Sequence, residues 1–325
     1  MDTGPGNGSG TTHLNWGNVG LAFSFIVFDA VVSHTFRLGV GSSLVTAAVR
    51  CVLQLSLVAL ILQKVFEANN PWAVAGIALL LNLMGTTETV VNKAKRRYTH
   101  MFPTVLAGLL GSTIPVSIIG IRFAMSAEPF WKPEQYIPVV GMLCGATISG
   151  IVISINYVLK ELYENKDKVE MYLAFGASRF EACKPIATEA LRFALTPNIN
   201  QMSVLGIIAI PGMMTGAILG GSSVEQAARL QMVIMFMISS CTALSSIFTT
   251  VLALSTVVDT EHRVRIDRID NRPHAIWRGR NWLVEKIAEG AKSMGEKIKT
   301  TLRFKSKNDD SEDQHSNGER QRLLG

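Results

Sequence analysis

Long apolar runs, separated by short polar segments, dominate the chain from its start to about residue 260. An α-helix needs about 20 apolar residues to cross the hydrocarbon core of a bilayer. Seven stretches meet that requirement, so the pattern predicts an all-α polytopic membrane protein of about seven transmembrane helices. The predicted spans cover residues 17–35, 38–63, 71–91, 103–124, 136–159, 187–210 and 229–258.

The sixth predicted span is the most polar of the seven. Pro197 removes one backbone hydrogen bond of the helix and leaves polar backbone groups beside Asn198, Asn200 and Gln201. Irregular backbone at membrane depth is tolerated where it lines a cavity or is buried in protein. We therefore expect this part of the chain to line a substrate path.

Basic residues predict the orientation, because loops that stay in the cytosol carry an excess of Lys and Arg. With seven spans, the basic clusters after the third, fifth and seventh spans all lie on one side. The N-terminus is then outside or lumenal, and the C-terminus is cytosolic. The clusters are Lys93, Lys95, Arg96 and Arg97, then Lys160, Lys166, Lys168, Arg179 and Lys184, and finally Arg263, Arg265 and Arg268.

This topology divides the chain into three regions. They are a short outside or lumenal tail at 1–16, a transmembrane domain at 17–259 and a cytosolic tail at 260–325. In the cytosolic tail, apolar residues recur at helical spacing between Leu283 and Leu302. That pattern indicates either a basic amphipathic helix on the membrane surface or a partly helical disordered tail, and both interpretations stand.

Two short motifs lie near the ends of the chain. Glu319–Leu324 fits an acidic dileucine sorting signal, in a stretch whose composition is typical of disorder. Asn7 begins a glycosylation sequon on the predicted outer side. Neither motif distinguishes an endomembrane or vacuolar location from the plasma membrane.

Composition agrees with a membrane protein. Hydrophobic residues make up 48% of the 325 residues and charged residues only 17%, against about a quarter in average proteins. The net charge of +6 is concentrated on the predicted cytosolic side, which favours contact with membrane lipid over nucleic acid. The four cysteines have neither the spacing of a zinc site nor that of a disulfide framework.

No catalytic set is present in the chain. It lacks a phosphate-binding loop, an HExxH metal motif and a GxSxG nucleophile motif. We therefore expect a protein that is not an enzyme and has no resident cofactor or metal, so any ATP must be bound by another chain. Methionines such as Met213 and Met214 fit adaptable packing better than metal ligation.

Arg50 and Gln54 share a helical face near the middle of the second span. A charge at mid-bilayer costs roughly 2.5–3.5 kcal/mol on insertion scales, so it is expected to face a cavity or a partner. In one interpretation Arg50 lines or gates the substrate path. In the other it forms a structural ion pair with Asp29 or Glu88, and both interpretations stand.

Small residues repeat every four positions in the fifth span, at Gly141, Gly145 and Ser149. Such a strip lets helix backbones approach closely in a membrane. We expect it to serve helix packing first, and the wall of a permeation path second.

A charged segment, residues 160–185, connects the fifth and sixth spans on the predicted cytosolic side. Two spans that flank a charged helix–Gly–helix element are what a transporter needs if a soluble motor is to move it. Glu170 lies on the first predicted helix, and Gly176 permits a bend between the two helices. We interpret this segment as a coupling element.

Several segments, in chain order, resemble the FetB-type ABC transporter permeases, a family that includes the bacterial iron-export permease and the plant aluminium-tolerance permeases. The similarity covers roughly residues 20–260, although Ala146 replaces an Asn that is usual in the family. Glu170 and Gly176 have the spacing of the motif that contacts the ATP-binding subunit, without its closing Leu-Pro. The matching segments are Arg50–Leu55, Ile137–Gly145, Leu173–Ser178 and Ile210–Gly216.

The resemblance implies a permease that works with a separate ABC ATP-binding subunit, as a pair of permease chains. It implies export of iron-like metal ions, or of a small solute such as a sugar nucleotide, and leaves the choice open. The implied coupling residues are Glu170, Leu173, Gly176, Ala177 and Ser178, and Pro211, Gly212, Met213, Met214 and Gly216 join the path.

Two other classes of protein are compatible with the same spans. An ATP-independent carrier or channel needs only the seven helices and a residue such as Arg50. A seven-span receptor also fits an outside N-terminus, but the chain has neither a DRY-like triplet after the third span nor an NPxxY-like element in the seventh.

Overall fold

The computed structural model describes residues 15–68, 70–259, 261 and 263–270. The predicted amphipathic helix between Leu283 and Leu302, the sorting signal at Glu319–Leu324 and the sequon at Asn7 lie outside the described residues. The chain forms two compact units. The first comprises the described residues up to Gly76 together with Trp131–Gln135, and the second comprises Ile77–Phe130 and the described residues from Tyr136 onward.

Helices account for most of the described chain. Two π-helical turns, Glu88–Lys93 and Gly120–Ala124, extend the third and fourth helices, and a 3-10 turn at Ile266–Arg268 precedes the last strand. The elements are α1 (Trp16–Thr35), α2 (Gly41–Ala68), α3 (Pro71–Thr87), β1 (Arg97–Tyr98), α4 (Met101–Ile119), α5 (Pro133–Glu164), α6 (Lys166–Ala174), α7 (Arg179–Val204), α8 (Gly212–Leu219), α9 (Val224–Val257) and β2 (Ile269–Asp270).

Six helical segments in the described residues are long and apolar enough to cross a membrane, namely α1 to α5 and α9. They correspond to the first five predicted spans and the seventh, which confirms a polytopic all-α membrane protein. The predicted sixth span, 187–210, falls instead on α7, which begins at Arg179 and is too polar for this group. The count of seven and the orientation therefore stay predictions.

In the first unit, α1 and α2 pack as a helical hairpin. The turn between them is closed by Ser33, whose hydroxyl accepts a hydrogen bond from the backbone N–H of Val40 at 3.2 Å. Gly41 begins α2 close to α1, because a Cβ atom there would lie 2.9 Å from the carbonyl oxygen of Ala30. The hairpin therefore needs a residue without a side chain at this point.

In the second unit, α9 packs against α4, α7 and α8. Glycines allow the close approaches: a Cβ atom on Gly108 of α4 would lie 2.8 Å from Cγ2 of Thr249. On α5, a Cβ atom on Gly150 would overlap Cγ2 of Thr242 and would lie 3.0 Å from the Ser246 hydroxyl oxygen. The centre of the unit is thus built around small and hydroxyl-bearing residues of α9.

Within the described residues, the glycines of the predicted packing strip of α5 make no close helix contact. Gly141 and Gly145 have open space where a Cβ atom would be, and Ser149 is exposed. Gly150 makes the close contact instead, because its side of the helix faces α9. Whether the strip packs against a second chain stays a prediction.

A two-stranded sheet joins the end of the described chain to the loop before α4. Strand β1 pairs antiparallel with β2, with Tyr98 opposite Ile269. Arg268 donates to the carbonyl oxygen of Thr256 at 2.7 Å and contacts the carboxylate of Asp259, which also binds Arg265 at 3.2 Å. The segment after α9, which we expected to be the start of a separate tail, is folded back onto the unit.

Candidate coupling element and polar seam

The coupling element has the predicted helix–turn–helix form, but its first helix begins later than expected. Helix α5 continues past the predicted end of the fifth span to Glu164, and Asn165 separates it from α6. Gly176 lies in the turn between α6 and α7, with φ of +90°. Residues with a side chain rarely adopt this backbone conformation, so glycine is the residue that this turn needs.

Helix α7 begins with a reciprocal cap. The Ser178 backbone N–H donates to the Glu181 carboxylate at 2.8 Å, and the Ser178 hydroxyl oxygen accepts from the Glu181 backbone N–H at 3.4 Å. Hydrogen bonds from the side chain and the backbone of Ser178 lower the pKa of Glu181 below its usual value. A carboxylate at a helix N-terminus is also favoured by the helix dipole. The cap therefore defines where α7 starts.

The five predicted coupling residues occupy different environments. Glu170 pairs with Lys166 at 3.4 Å and is part-exposed, and Gly176 is exposed. Leu173 is buried, with 5% of its surface exposed, and Ala177 packs against the same core. Ser178 is the cap of α7. Within this group, Leu173 is an internal anchor, so it is not placed for direct contact with a partner.

Apolar side chains that the sequence analysis did not single out cover the tip of the coupling element. Phe175 is 85% exposed beside Gly176, and Met171, Tyr172 and Phe180 are also exposed. An apolar patch on an otherwise charged, exposed element is typical of a protein contact site. The signal was present in the sequence as apolar residues inside a charged loop. We call these four residues the tip patch.

The element is anchored in the core of the second unit. Val169 and Leu173 of α6 and Ala182 and Cys183 of α7 belong to one buried cluster with α4, α5 and α9. A force on the tip patch would therefore reach these helices through packed side chains. The cluster includes Val105 and Leu109 of α4, Ile151, Ile155, Val158, Leu159 and Leu162 of α5, and Ala253, Leu254 and Val257 of α9.

Buried polar residues lie where α9 meets α4, α5 and α7, and we call this set the polar seam. Within it, Ser246 lies beside Gly150 of α5, whereas Ser245 lies beside Gly108 of α4. Four hydroxyl oxygens and one amide nitrogen in it have no hydrogen-bond partner in the described part of the chain. Gly150 brings α5 against α9 here, and the carbonyl oxygen of Ala194 on α7 lies on the same side. The unpartnered groups belong to Thr147, Asn198, Ser245, Ser246 and Thr250.

The polar seam was only partly anticipated. Asn198 was a predicted path residue, whereas the α9 hydroxyls were missed, although Thr242, Ser245, Ser246 and Thr249 recur at helical spacing. Buried polar groups without partners cost free energy and therefore need an explanation. Hydroxyl and amide groups aligned between membrane helices can replace part of the hydration shell of a polar solute.

The other predicted path residues do not join the seam within this chain. Asn200 and Gln201 are exposed on α7, and helix α8, which carries Met213 and Met214, has no buried residue. Pro211 caps α8, and Gly212 and Gly216 are exposed on it. In the first unit, Arg50 and Gln54 are exposed on α2. Their part in a path stays a prediction.

The described residues contain no group of three or more His, Cys, Asp or Glu side chains that would hold a metal ion.

Comparison with known proteins places the chain in a family of membrane proteins. The family model described as "Uncharacterised protein family (UPF0014)" matches residues 16–258, which run from the start of α1 to just past the end of α9. No solved structure matches.

Three curated relatives illustrate the range of the family. "UPF0014 membrane protein slr1647" of Synechocystis is 30% identical over 73% of this chain and 91% of its own length. "Probable iron export permease protein FetB" of Escherichia coli is 22% identical over 78% and 96%, respectively. "Protein ALUMINUM SENSITIVE 3" of Arabidopsis thaliana is 27% identical over 71% and 83%. The resemblance to the FetB-type permeases is confirmed, and the chain belongs to the UPF0014 family of multi-pass membrane proteins.

Proposed function

We propose that the chain is the membrane permease subunit of an ABC-type exporter that a separate ATP-binding subunit drives. The observation that carries this proposal is the tip patch, held at a rigid turn between two helices that share a core with α5 and α9. An exposed aromatic surface on a part-charged element suits insertion into a groove of a soluble partner.

This geometry supports a coupling mechanism. Closure of the ATP-binding subunits would push on Phe175 and its neighbours, and the shared core would pass the displacement to α5, α7 and α9. Packed helices respond to such a push by sliding or rotating as bodies. Because these same helices line the polar seam, a displacement would open it on one side and close it on the other.

Two permease chains in the complex follow from the pairwise action of ATP-binding subunits. The strip on α5, in which Gly145 and Ser149 are exposed and Gly141 is half-buried, is available for contact with a second chain. In this arrangement the strip serves helix packing between chains.

The cargo is a metal ion of the iron class or a small solute such as a sugar nucleotide. One relative is named as a probable iron export permease, which supports the first choice. Oxygen atoms of the polar seam can bind a hydrated cation and can also accept hydrogen bonds from the hydroxyls of a sugar. The seam therefore does not select between the two cargoes.

The test is purification of the tagged full chain from its native membrane in mild detergent. An ATP-binding chain in an equimolar ratio supports the proposal. Transport in liposomes that lack ATP, with no such chain attached, would instead support a carrier or channel.

A matched pair of variants at the turn sharpens this test. Apart from its neighbours in the chain, a Cβ atom on Gly176 meets no atom of the described residues within 4 Å, so a substituted side chain points into open space. Gly176→Asn and Gly176→Trp both lose the glycine backbone freedom, at a cost of about 1–2 kcal/mol, but only Trp obstructs a docked partner. We expect Trp to remove the ATP-binding chain and Asn to retain it. Equal retention by both variants would contradict docking at this turn.

A further inference from the structure

An open groove of about 620 Å³ lies between α5, α7 and the loop that follows α3. It belongs entirely to the second unit and is separate from the tip patch and the polar seam. Its wall includes Ile153, Asn156, Tyr157, Lys160 and Glu164, which fall on one face of α5. From Ile153 to Glu164 this face is about 16 Å long, at a rise of 1.5 Å per residue.

The chemistry of the groove changes along its length. At the Ile153 end the α7 side of the wall is formed by Phe193, Thr196 and Pro197, and the Phe193 ring centroid is 5.1 Å from that of Tyr157. At the Glu164 end the wall is formed by Lys95, Arg96 and Lys160. One end is therefore apolar and aromatic, and the other is charged.

The charged end has an excess of positive charge. Arg96 and Lys160 share the single carboxylate of Glu164, at 3.6 Å and 3.8 Å. Lys95 makes no ion pair within the described residues, and its backbone N–H donates to the Asn156 side-chain oxygen at 3.0 Å, which fixes the loop against α5. Because three cations face one carboxylate, this end of the groove has a net positive charge and is suited to bind an anion.

The position of the groove along the membrane follows from α5 itself. This helix is one of the six that are apolar enough to span, and Lys160 and Glu164 lie at its C-terminal end. Whichever way the chain is oriented, that end reaches the membrane surface. The Ile153 end then lies about 16 Å deeper, roughly half the thickness of a hydrocarbon core of about 30 Å.

We propose that this groove binds an anionic phospholipid, with the headgroup phosphate between Lys95, Arg96 and Lys160 and an acyl chain along Phe193, Tyr157 and Ile153. The groove changes from charged at the membrane surface to apolar at depth, as a phospholipid does from its headgroup to its acyl chains. A soluble anion has no apolar part that would fill the deeper end. Because Tyr157 and Phe193 join α5 to α7, the bound lipid would support the contact between the two helices that flank the coupling element.

The test uses the full chain in neutral detergent and four probes: dioctanoyl phosphatidic acid, dioctanoyl phosphatidylcholine, glycerol 3-phosphate and inorganic phosphate. Binding is measured by titration calorimetry. We expect saturable binding of dioctanoyl phosphatidic acid, and at least tenfold weaker binding of the other three. Phosphatidylcholine lacks the net charge, and the two soluble phosphates lack the acyl chains.

A lysine near an anionic lipid contributes about 1 kcal/mol, which corresponds to about a fivefold change in affinity. The Lys95→Gln, Lys160→Gln double variant should therefore bind phosphatidic acid about 25-fold more weakly. Lys168→Gln, an exposed lysine of α6 outside the groove, should bind it as the parent does. If the double variant is recovered poorly, the single variant Lys95→Gln, which breaks no ion pair of the described chain, should show the fivefold loss.

Three results would overturn the proposal. Equal affinity for glycerol 3-phosphate and phosphatidic acid would make the groove a site for soluble phosphates. Equal affinity for phosphatidylcholine would remove the role of the cations. Unchanged lipid binding in the double variant, with a melting temperature equal to that of Lys168→Gln, would place the lipid elsewhere.

Discussion

Gly150 of α5 lies directly against Thr242 of α9, so closely that a Cβ atom on Gly150 would overlap the threonine methyl group. Five residues earlier on α5, Gly145 has open space where a Cβ atom would lie. The position of Gly145 can therefore take a side chain, whereas the position of Gly150 cannot. This contact fixes how α5, α7 and α9 meet at the polar seam.

Replacing Gly150 by Leu should destabilise the chain, because a side chain there must displace α9. Overpacking of this kind typically costs about 1–3 kcal/mol, and two side-chain groups of α9 are in the way. Gly145→Leu is the matched control and should leave the melting temperature of the isolated chain in detergent unchanged. Equal melting temperatures for the two variants would contradict the close contact between Gly150 and α9.

The tip patch makes a second prediction. Phe175→Ser should release the ATP-binding subunit during purification without lowering the melting temperature, because the side chain is 85% exposed. Leu173→Ser, two residues earlier, should lower the melting temperature because that side chain is buried in the core. Loss of an apolar side chain at the centre of an interface typically costs about 2 kcal/mol or more in binding. Retention of the subunit by Phe175→Ser would exclude Phe175 as a contact.

A substitution in the polar seam should affect transport without lowering stability. The Ser246 hydroxyl is buried without a partner in the described residues, so Ser246→Ala removes an unsatisfied polar group. Its effect on stability should be neutral or favourable, by up to about 1 kcal/mol. If the seam carries cargo, transport by the same variant should fall several-fold. Thr256→Val is a useful control on the same helix, since the Thr256 hydroxyl already bonds to the Leu252 carbonyl. Unaltered transport by Ser246→Ala would remove Ser246 from the path.

Arg268 should hold the segment after α9 against the loop before α4. Arg268→Gln loses the contacts with Asp259 and with the Thr256 carbonyl, each worth about 0.5–2 kcal/mol. Hydrogen exchange of the Thr99 and Arg265 backbone amides should then accelerate several-fold, because both bond across this region. Arg263→Gln, an exposed arginine in the same segment, should leave both amides protected.

The α7 cap makes the coupling element sensitive to acid. Because the Ser178 hydrogen bonds lower the pKa of Glu181 in the folded chain, the ionised cap stabilises the folded state above the ordinary glutamate pKa. This contribution should disappear as the pH falls through the lowered pKa. The melting temperature of Glu181→Gln should therefore change less between pH 6 and pH 3 than that of the parent. An identical pH dependence in both would show that the cap does not contribute.

The family, the membrane class and the helices were accessible from the sequence because their signals are local. An apolar run of about 20 residues predicts a span without reference to its neighbours, and Gly176 marked a turn because the requirement for positive φ belongs to that residue's own backbone. The cap at Ser178 and Glu181 is likewise a contact between residues three apart.

Only the tertiary structure decided which side of each helix packs against a neighbouring helix. The four-residue repeat in the sequence favours Gly141 and Gly145 for packing, and only the position of α9 makes Gly150 the contact. Leu173 and Phe175 are both apolar residues of one motif, yet one is buried and the other is exposed. The pairing of β1 with β2, the polar seam and the lipid groove all join residues far apart in the chain, and no local pattern specifies which distant surfaces will meet.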